Sequence, residues 1–222
     1  MLKKEQTVKK DRHNLFIVPE GLLFVIPSFI LACLSFFFAY RAMGFLLLIF
    51  SLFILWFFRN PERKVPEEAG VVSPADGRVV EITQVTMTDL INGKFTKIGI
   101  FMNVFNVHVN RVPYAGKVKS IVYKKGRFFA ANNDKATLLN EQNAIVIDIG
   151  QGQELLTVQI AGLIARRIVC WLEEGMAVSR GERMGLICFG SRLDVYFPKT
   201  FQLKVSIGDK VVAGETIIGV VE

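Results

Sequence analysis

Two patterns of apolar residues divide the chain. From Gly21 to Tyr40 and again from Ala42 to Phe58 no charged side chain occurs, and Arg41 alone separates the two runs. A helix needs about 20 apolar residues to cross a bilayer core, with a lower limit near 17. The pattern therefore predicts two membrane helices, 21–40 and 42–58, forming a hairpin that turns around Arg41, Ala42 and Gly44. An interfacial hairpin dipping into one leaflet is the alternative that Pro27 and so tight a turn allow. Residues 62–68 are polar and hold Pro66, which reads as a linker. Beyond it the apolar residues come in short runs. Val71–Val80 reads as strand, turn, strand, with Asp76-Gly77 as the turn signal. Further strands are predicted at 97–102, 107–112, 117–123, 144–149, 155–160, 167–171, 184–189, 194–197 and 217–221. Only 132–140 suggests a short helix. Many short strands between glycine turns predict a mainly β sandwich or barrel.

An internal echo sharpens that expectation. Gly175-Met-Ala-Val178-Ser-Arg-Gly181-Glu182 and Gly208-Asp-Lys-Val211-Val-Ala-Gly214-Glu215 both read G-x-x-V-x-x-G-E, each followed by an apolar run. The rhythm is similar to half of a biotinyl/lipoyl-type flattened barrel, a likeness of fold that carries no function. The expected organisation is a basic tail at 1–14, a membrane hairpin at 15–58, a linker at 59–68 and a β domain at 69–222.

Charge and composition place the chain. Of its 19 phenylalanines, 11 lie between Leu15 and Phe58. The formal net charge is +7, of which +3 falls in residues 1–14 and +2 in residues 59–64. Basic residues flanking an apolar block are a juxtamembrane signature, so both ends of the hairpin are expected in the cytoplasm and no nucleic-acid surface is expected. A cleaved signal peptide is not expected, because the apolar stretch is too long. Cys33, Cys170 and Cys188 lie in apolar runs without metal-type spacing, which suggests a reducing compartment and no metal site.

Candidate chemistry is sparse. The chain has two histidines. His13 lies in the basic tail and reads as solvated. His108 shares a predicted strand face with Asn106 and Asn110, and imidazole titrates near neutrality, so it is a candidate acid or base. Asp76 lies on the Ser73-Pro-Ala-Asp-Gly77 turn, and Gly190-Ser191 lies between two β runs. Each has a plain structural explanation as core or turn. No P-loop, zinc pattern or G-x-S-x-G elbow is present.

Taken together, an apolar N-terminal block, Ser73–Gly77, Asn106–Pro113, Gln159–Val169 and Phe189-Gly190-Ser191 resemble the phosphatidylserine decarboxylase family in its short prokaryotic form, over residues 14–222. The resemblance implies a lyase that cuts its own chain between Gly190 and Ser191. It implies a β chain 1–190 and an α chain 191–222 that stay together as a heterodimer or a higher oligomer. Ser191 would become a pyruvoyl group, which would form a Schiff base with the amine of phosphatidylserine at the cytoplasmic face of the cell membrane. His108 and Asp76 match positions that the family uses with the serine. Better-known long-form members carry a second histidine three residues after His108, where this chain has Arg111, so the task of that residue is unassigned here. Arg166, Arg167 and Arg111 are candidate contacts to substrate phosphate or carboxylate. Archaetidylserine as substrate, and a non-catalytic membrane adaptor or carrier on a lipoyl-like barrel, are the alternatives.

Overall fold

The computed structural model describes residues 15–87, 89–126, 140–162, 167–188 and 191–221. The predicted helix at 132–140 falls almost wholly outside them, and His13, Arg166 and Gly190 fall outside them too. The chain divides into two compact units, 1–62 and 63–222.

In the first unit, helix α1 spans Pro19–Phe37 and helix α2 spans Arg41–Phe57. Proline in the first turn and Glu20 beside it suit a helix N-terminus. The turn between the helices is not at Arg41–Gly44 as the sequence suggests, but at Phe38–Tyr40, where Ala39 takes φ 62°. Gly44 serves packing instead, since a side chain there would strike the Phe36 ring. Small residues take most of the buried positions, Gly21, Ser28 and Ala32 on α1 and Gly44 and Ser51 on α2, beside Val25, Ile54 and Phe57. Ser51 Oγ donates to Ser28 Oγ at 2.8 Å. Leu23, Ile26, Phe29, Leu46 and Ile49 point outward and are exposed. Small residues inside and large apolar ones outside are the arrangement of helices solvated by lipid. α1, at 19 residues, is long and apolar enough to cross a membrane, whereas α2 has 17. Arg59 stacks its guanidinium 3.9 Å over the Trp56 ring at the end of α2.

Among its described residues the second unit has 14 strands and no helix, and the strands form two similar halves. One half contains β1 (Val71–Val72), β2 (Gly77–Met87), β3 (Asn92–Met102), β11 (Ser191–Pro198), β12 (Phe201–Leu203), β13 (Lys210–Val211) and β14 (Ile217–Val221). The other is continuous in sequence: β4 (Val109–Arg111), β5 (Gly116–Lys124), β6 (Gln142–Gly150), β7 (Gln153–Ile160), β8 (Ile168–Cys170), β9 (Ala177–Val178) and β10 (Arg183–Ile187). A curled eight-stranded sheet runs β13-β2-β3-β11-β7-β6-β5-β9. Its two outer quartets mirror one another about the β11–β7 boundary. Two three-stranded sheets, β1-β14-β12 and β4-β10-β8, repeat the correspondence.

The G-x-x-V-x-x-G-E echo marks this duplication. Gly175, Gly181, Gly208 and Gly214 all take positive φ, between 76° and 99°. Val178 pairs with Gly116, and Val211 pairs with Gly77 in the same way. A second echo accompanies the first. Ser73-Pro74-Ala-Asp-Gly77-Arg-Val79 corresponds to Val112-Pro113-Tyr-Ala-Gly116-Lys-Val118. The two proline loops exchange backbone bonds, Val72 N–H to Pro113 O and Arg111 N–H to Pro74 O, both 2.9 Å. The Val71–Val80 segment is therefore not a local hairpin: β1 pairs with β14 and β2 with β3.

The halves differ at one junction. Within the continuous half, β6 turns into β7 through Gln151-Gly152, both at positive φ. In the other half the matching strands, β3 and β11, are separated in sequence by the whole continuous half. Ser191 therefore enters the sheet opposite Met102, where the first half would otherwise close a hairpin. The main core, including Ile98, Ile100, Ile145, Leu193 and Phe197, lies beneath this sheet.

Candidate active site

Strand β11 sets the centre. Its pleat sends Ser191, Leu193 and Val195 to one face and Arg192, Asp194 and Tyr196 to the other. Ser191 is completely buried and pairs with Met102 on β3, while the next residue, Arg192, pairs with Ile160 at the end of β7. Its Oγ lies 3.9 Å from Met102 Sδ.

His108 flanks the segment leading into Ser191, since its carbonyl accepts the Ile187 N–H at 3.4 Å. The strand β4 covers only 109–111, so the alternation expected for 106–110 stops short. Asn106 belongs to a turn in which its Oδ1 accepts the Asn103 N–H. His108 Nδ1 lies 3.0 Å from the Asn106 carbonyl. A carbonyl only accepts, so Nδ1 carries a proton, and in the neutral form of the ring the lone pair falls on Nε2. The ring is 2% exposed.

Asp76 sits on the first proline loop. Its carboxylate accepts from Arg63 Nη2 (2.8 and 3.0 Å) and from the Ala213 N–H (2.8 Å), not from His108 or Ser191. The loop still touches β4, which directly follows His108, through the Arg111 N–H to Pro74 O bond. Arg111 is buried and donates from Nη1 to the Gly181 carbonyl at 2.8 Å, tying β4 to the first of the G-x-x-V-x-x-G-E loops. Arg167 is exposed, and its carbonyl accepts the Cys188 N–H, three residues before Ser191. Burial pushes the Cys170 thiol up, away from the thiolate form.

Two polar groups around β11 escape a reading by pattern. On the core side, Asn110, Gln159 and Asn143 form a buried amide chain ending at Met102. On the opposite side, Arg192 Nε donates to Asp194 Oδ1 at 2.6 Å, and Arg192 Nη2 meets the Glu81 carboxylate. Lys97 Nζ reaches both Glu81, at 2.9 Å, and Asp194, at 3.2 Å. Burial raises the Asp194 carboxyl despite both cations. Gly99 has no side chain because one would collide with the Arg192 guanidinium. The available signal was a polar residue inside an apolar run: Gln159 within 155–160, and Arg192 and Asp194 alternating with Leu193 and Val195.

Comparison with known proteins adds an independent finding. The sequence profile of the family described as phosphatidylserine decarboxylase matches residues 50–219. A phosphatidylserine decarboxylase proenzyme of Syntrophus aciditrophicus (strain SB) is 51% identical over 210 residues, 94% of this chain and 99% of that protein. Proteins of the same name from Desulfotalea psychrophila and Geotalea uraniireducens are 47% and 48% identical. They align over 91% and 93% of this chain, and over 95% and 97% of their own lengths.

Proposed function

This chain belongs to the phosphatidylserine decarboxylase family, and from that premise we propose that it cuts itself between Gly190 and Ser191 and converts phosphatidylserine to phosphatidylethanolamine and carbon dioxide. The observation that carries the reading is Ser191 itself. It is fully buried and is the first residue of a strand paired on both sides. A chain opened just before it keeps its new terminus inside the sheet.

The cut balances without any outside reagent but water. Ser191 Oγ adds to the Gly190 carbonyl carbon, the amide C–N bond breaks and an ester replaces it. Removal of the Ser191 α-proton expels Gly190 as a carboxylate. Water then releases ammonia from residue 191, which is left as a pyruvoyl group. His108 is the proposed proton carrier, because its Nδ1 bond to Asn106 leaves the lone pair on Nε2. Asp76 is the proposed third member, its loop bonded to β4, the strand that follows His108.

The surroundings fit such a group: residue 191 is closed off from water, and the Asn110 amide lies against the same sulfur as its side chain. When present, the pyruvoyl group supplies an electron sink for the pair released as the carboxylate leaves. Arg167 is the proposed contact for substrate phosphate or carboxylate, with Arg166 beside it in sequence. The proposed setting is the cytoplasmic face of the cell membrane, with α1 and α2 in the bilayer holding the domain where its lipid substrate lies.

The decisive experiment is an intact mass. The protein should yield two pieces, residues 1–190 and the 32 residues from 191 to 222 (222 − 190 = 32), the smaller blocked at its N-terminus. Ser191→Ala should remain one chain of 25.0 kDa and release no carbon dioxide from phosphatidylserine vesicles. If Ser191→Ala still splits at this bond, the serine-driven reading is wrong.

A further inference from the structure

We propose that Asn110 is a catalytic hydrogen-bond donor to the carbonyl oxygen created at residue 191, and that Gln159 and Asn143 are positioning residues that aim it. The inference rests on the reading that Ser191 becomes a pyruvoyl group.

Three buried side-chain amides from three strands carry the argument. Asn143 on β6 is 2% exposed, and Gln159 on β7 and Asn110 on β4 are wholly buried. Asn143 Nδ2 donates to Gln159 Oε1 at 2.9 Å, and Gln159 Nε2 donates to Asn110 Oδ1 at 2.9 Å. An amide has one oxygen to accept with and one NH2 to donate with. The Gln159 and Asn110 oxygens are each taken by the amide before them, so these two can pass only an N–H forward. The last group presented is thus Asn110 Nδ2–H, and the chain fixes its orientation.

That donor meets a thioether, Met102 Sδ at 3.6 Å, and a thioether is a weak acceptor. Spending a buried, oriented amide on so poor a partner is unfavourable. Ser191 Oγ touches the same sulfur, so donor and serine converge on one unbranched, flexible side chain that can move aside. A carbonyl oxygen at residue 191 would satisfy the donor far better than sulfur does. A core needing only to be filled would be better served by leucines in place of these amides.

The test compares the parent protein with Asn110→Leu and Gln159→Met. Mass spectrometry scores cutting and counts the carbonyl at residue 191. Phenylhydrazine then reports how polarised that carbonyl is, through the rate of hydrazone absorbance per carbonyl. Carbon dioxide release supplies kcat and KM. Both variants should cut. Asn110→Leu should lower the hydrazone rate and kcat by about 10²-fold with KM little changed, as for loss of one preorganised donor. Gln159→Met keeps the donor but not its aim and should lower both by about tenfold. Parental rates per carbonyl in Asn110→Leu overturn the proposal. So does an Asn110→Leu chain that folds but stays uncut, because the donor would then act on the cut. If Asn110→Leu does not fold, Gln159→Met decides, and a parental hydrazone rate there overturns the proposal. A parent protein without any carbonyl at residue 191 instead refutes the pyruvoyl reading, and only that outcome does so.

Discussion

At the scale of single residues, direction matters more than proximity. His108 spends Nδ1 on a carbonyl, which makes Nε2 the basic nitrogen, and loss of a positioned acid or base costs 10²–10⁴-fold. His108→Ala should lower carbon dioxide release per carbonyl group by about that range; an unchanged rate in the matured fraction would leave His108 a structural residue. The ionic group behind Ser191 gives a prediction in pH. Burial alone would raise the Glu81 carboxyl, but hydrogen bonds and charge from Arg192 and Lys97 outweigh it, and the net shift is downward. A carboxyl that binds its proton more weakly when folded stabilises the fold above its ordinary value and loses that contribution as pH falls through the lower one. Parent and Glu81→Gln should therefore differ in Tm at neutral pH, with the parent higher. The gap should close on acidification below the ordinary glutamate range. A gap that widens instead would show that the cluster does not hold Glu81 ionised.

Elements owe their placement to glycines that admit a neighbouring backbone. A Cβ on Gly77 would strike the Phe101 carbonyl oxygen, and one on Gly116 would strike that of Asp148. The two sites are equivalent in the duplicated halves, each opposite the valine of one G-x-x-V-x-x-G-E loop. Gly77→Ala and Gly116→Ala should each destabilise the β domain by about 1–3 kcal/mol, the usual scale of overpacking. Denaturant titration of the domain measures both. A loss confined to one of them would mean that the halves are alike in path but not in packing.

For the whole molecule, the position of the proposed cut follows from the insertion of one half into the other. The 32-residue piece would carry β11 to β14, and β11 pairs with β3 on one side and β7 on the other. The two pieces should thus co-elute under native conditions and part only in denaturant. The unit 63–222 has its own core, so deleting residues 1–58 should leave self-cutting intact. It should release the domain from membranes and depress activity on vesicles far more than on a short-chain soluble substrate. Equal losses on both substrates would show that α1 and α2 do more than hold the domain at its substrate.

What the sequence determined by itself was whatever is written in local periodicity and turn chemistry. The apolar block, the β character of the remainder and the positive-φ glycine loops follow from residues close in the chain. Ser191 stood out through resemblance, and the relatives place the chain in that same family. Tertiary structure alone decided which strands meet. Nothing in Val71–Val80 says that β1 will pair with β14, where Val72 meets Ile217, 145 residues on (217 − 72 = 145), because register between distant strands depends on the core they jointly bury. It also decided where polar side chains go. Asp76 turns to Arg63 and Ala213, Asn106 to its own turn, and Arg111 to Gly181. Asn143 and Gln159 face each other across the local β6–β7 hairpin, but Asn110 comes from β4 in another sheet, and the hydrogen-bonded chain of all three exists only once the sheets have packed.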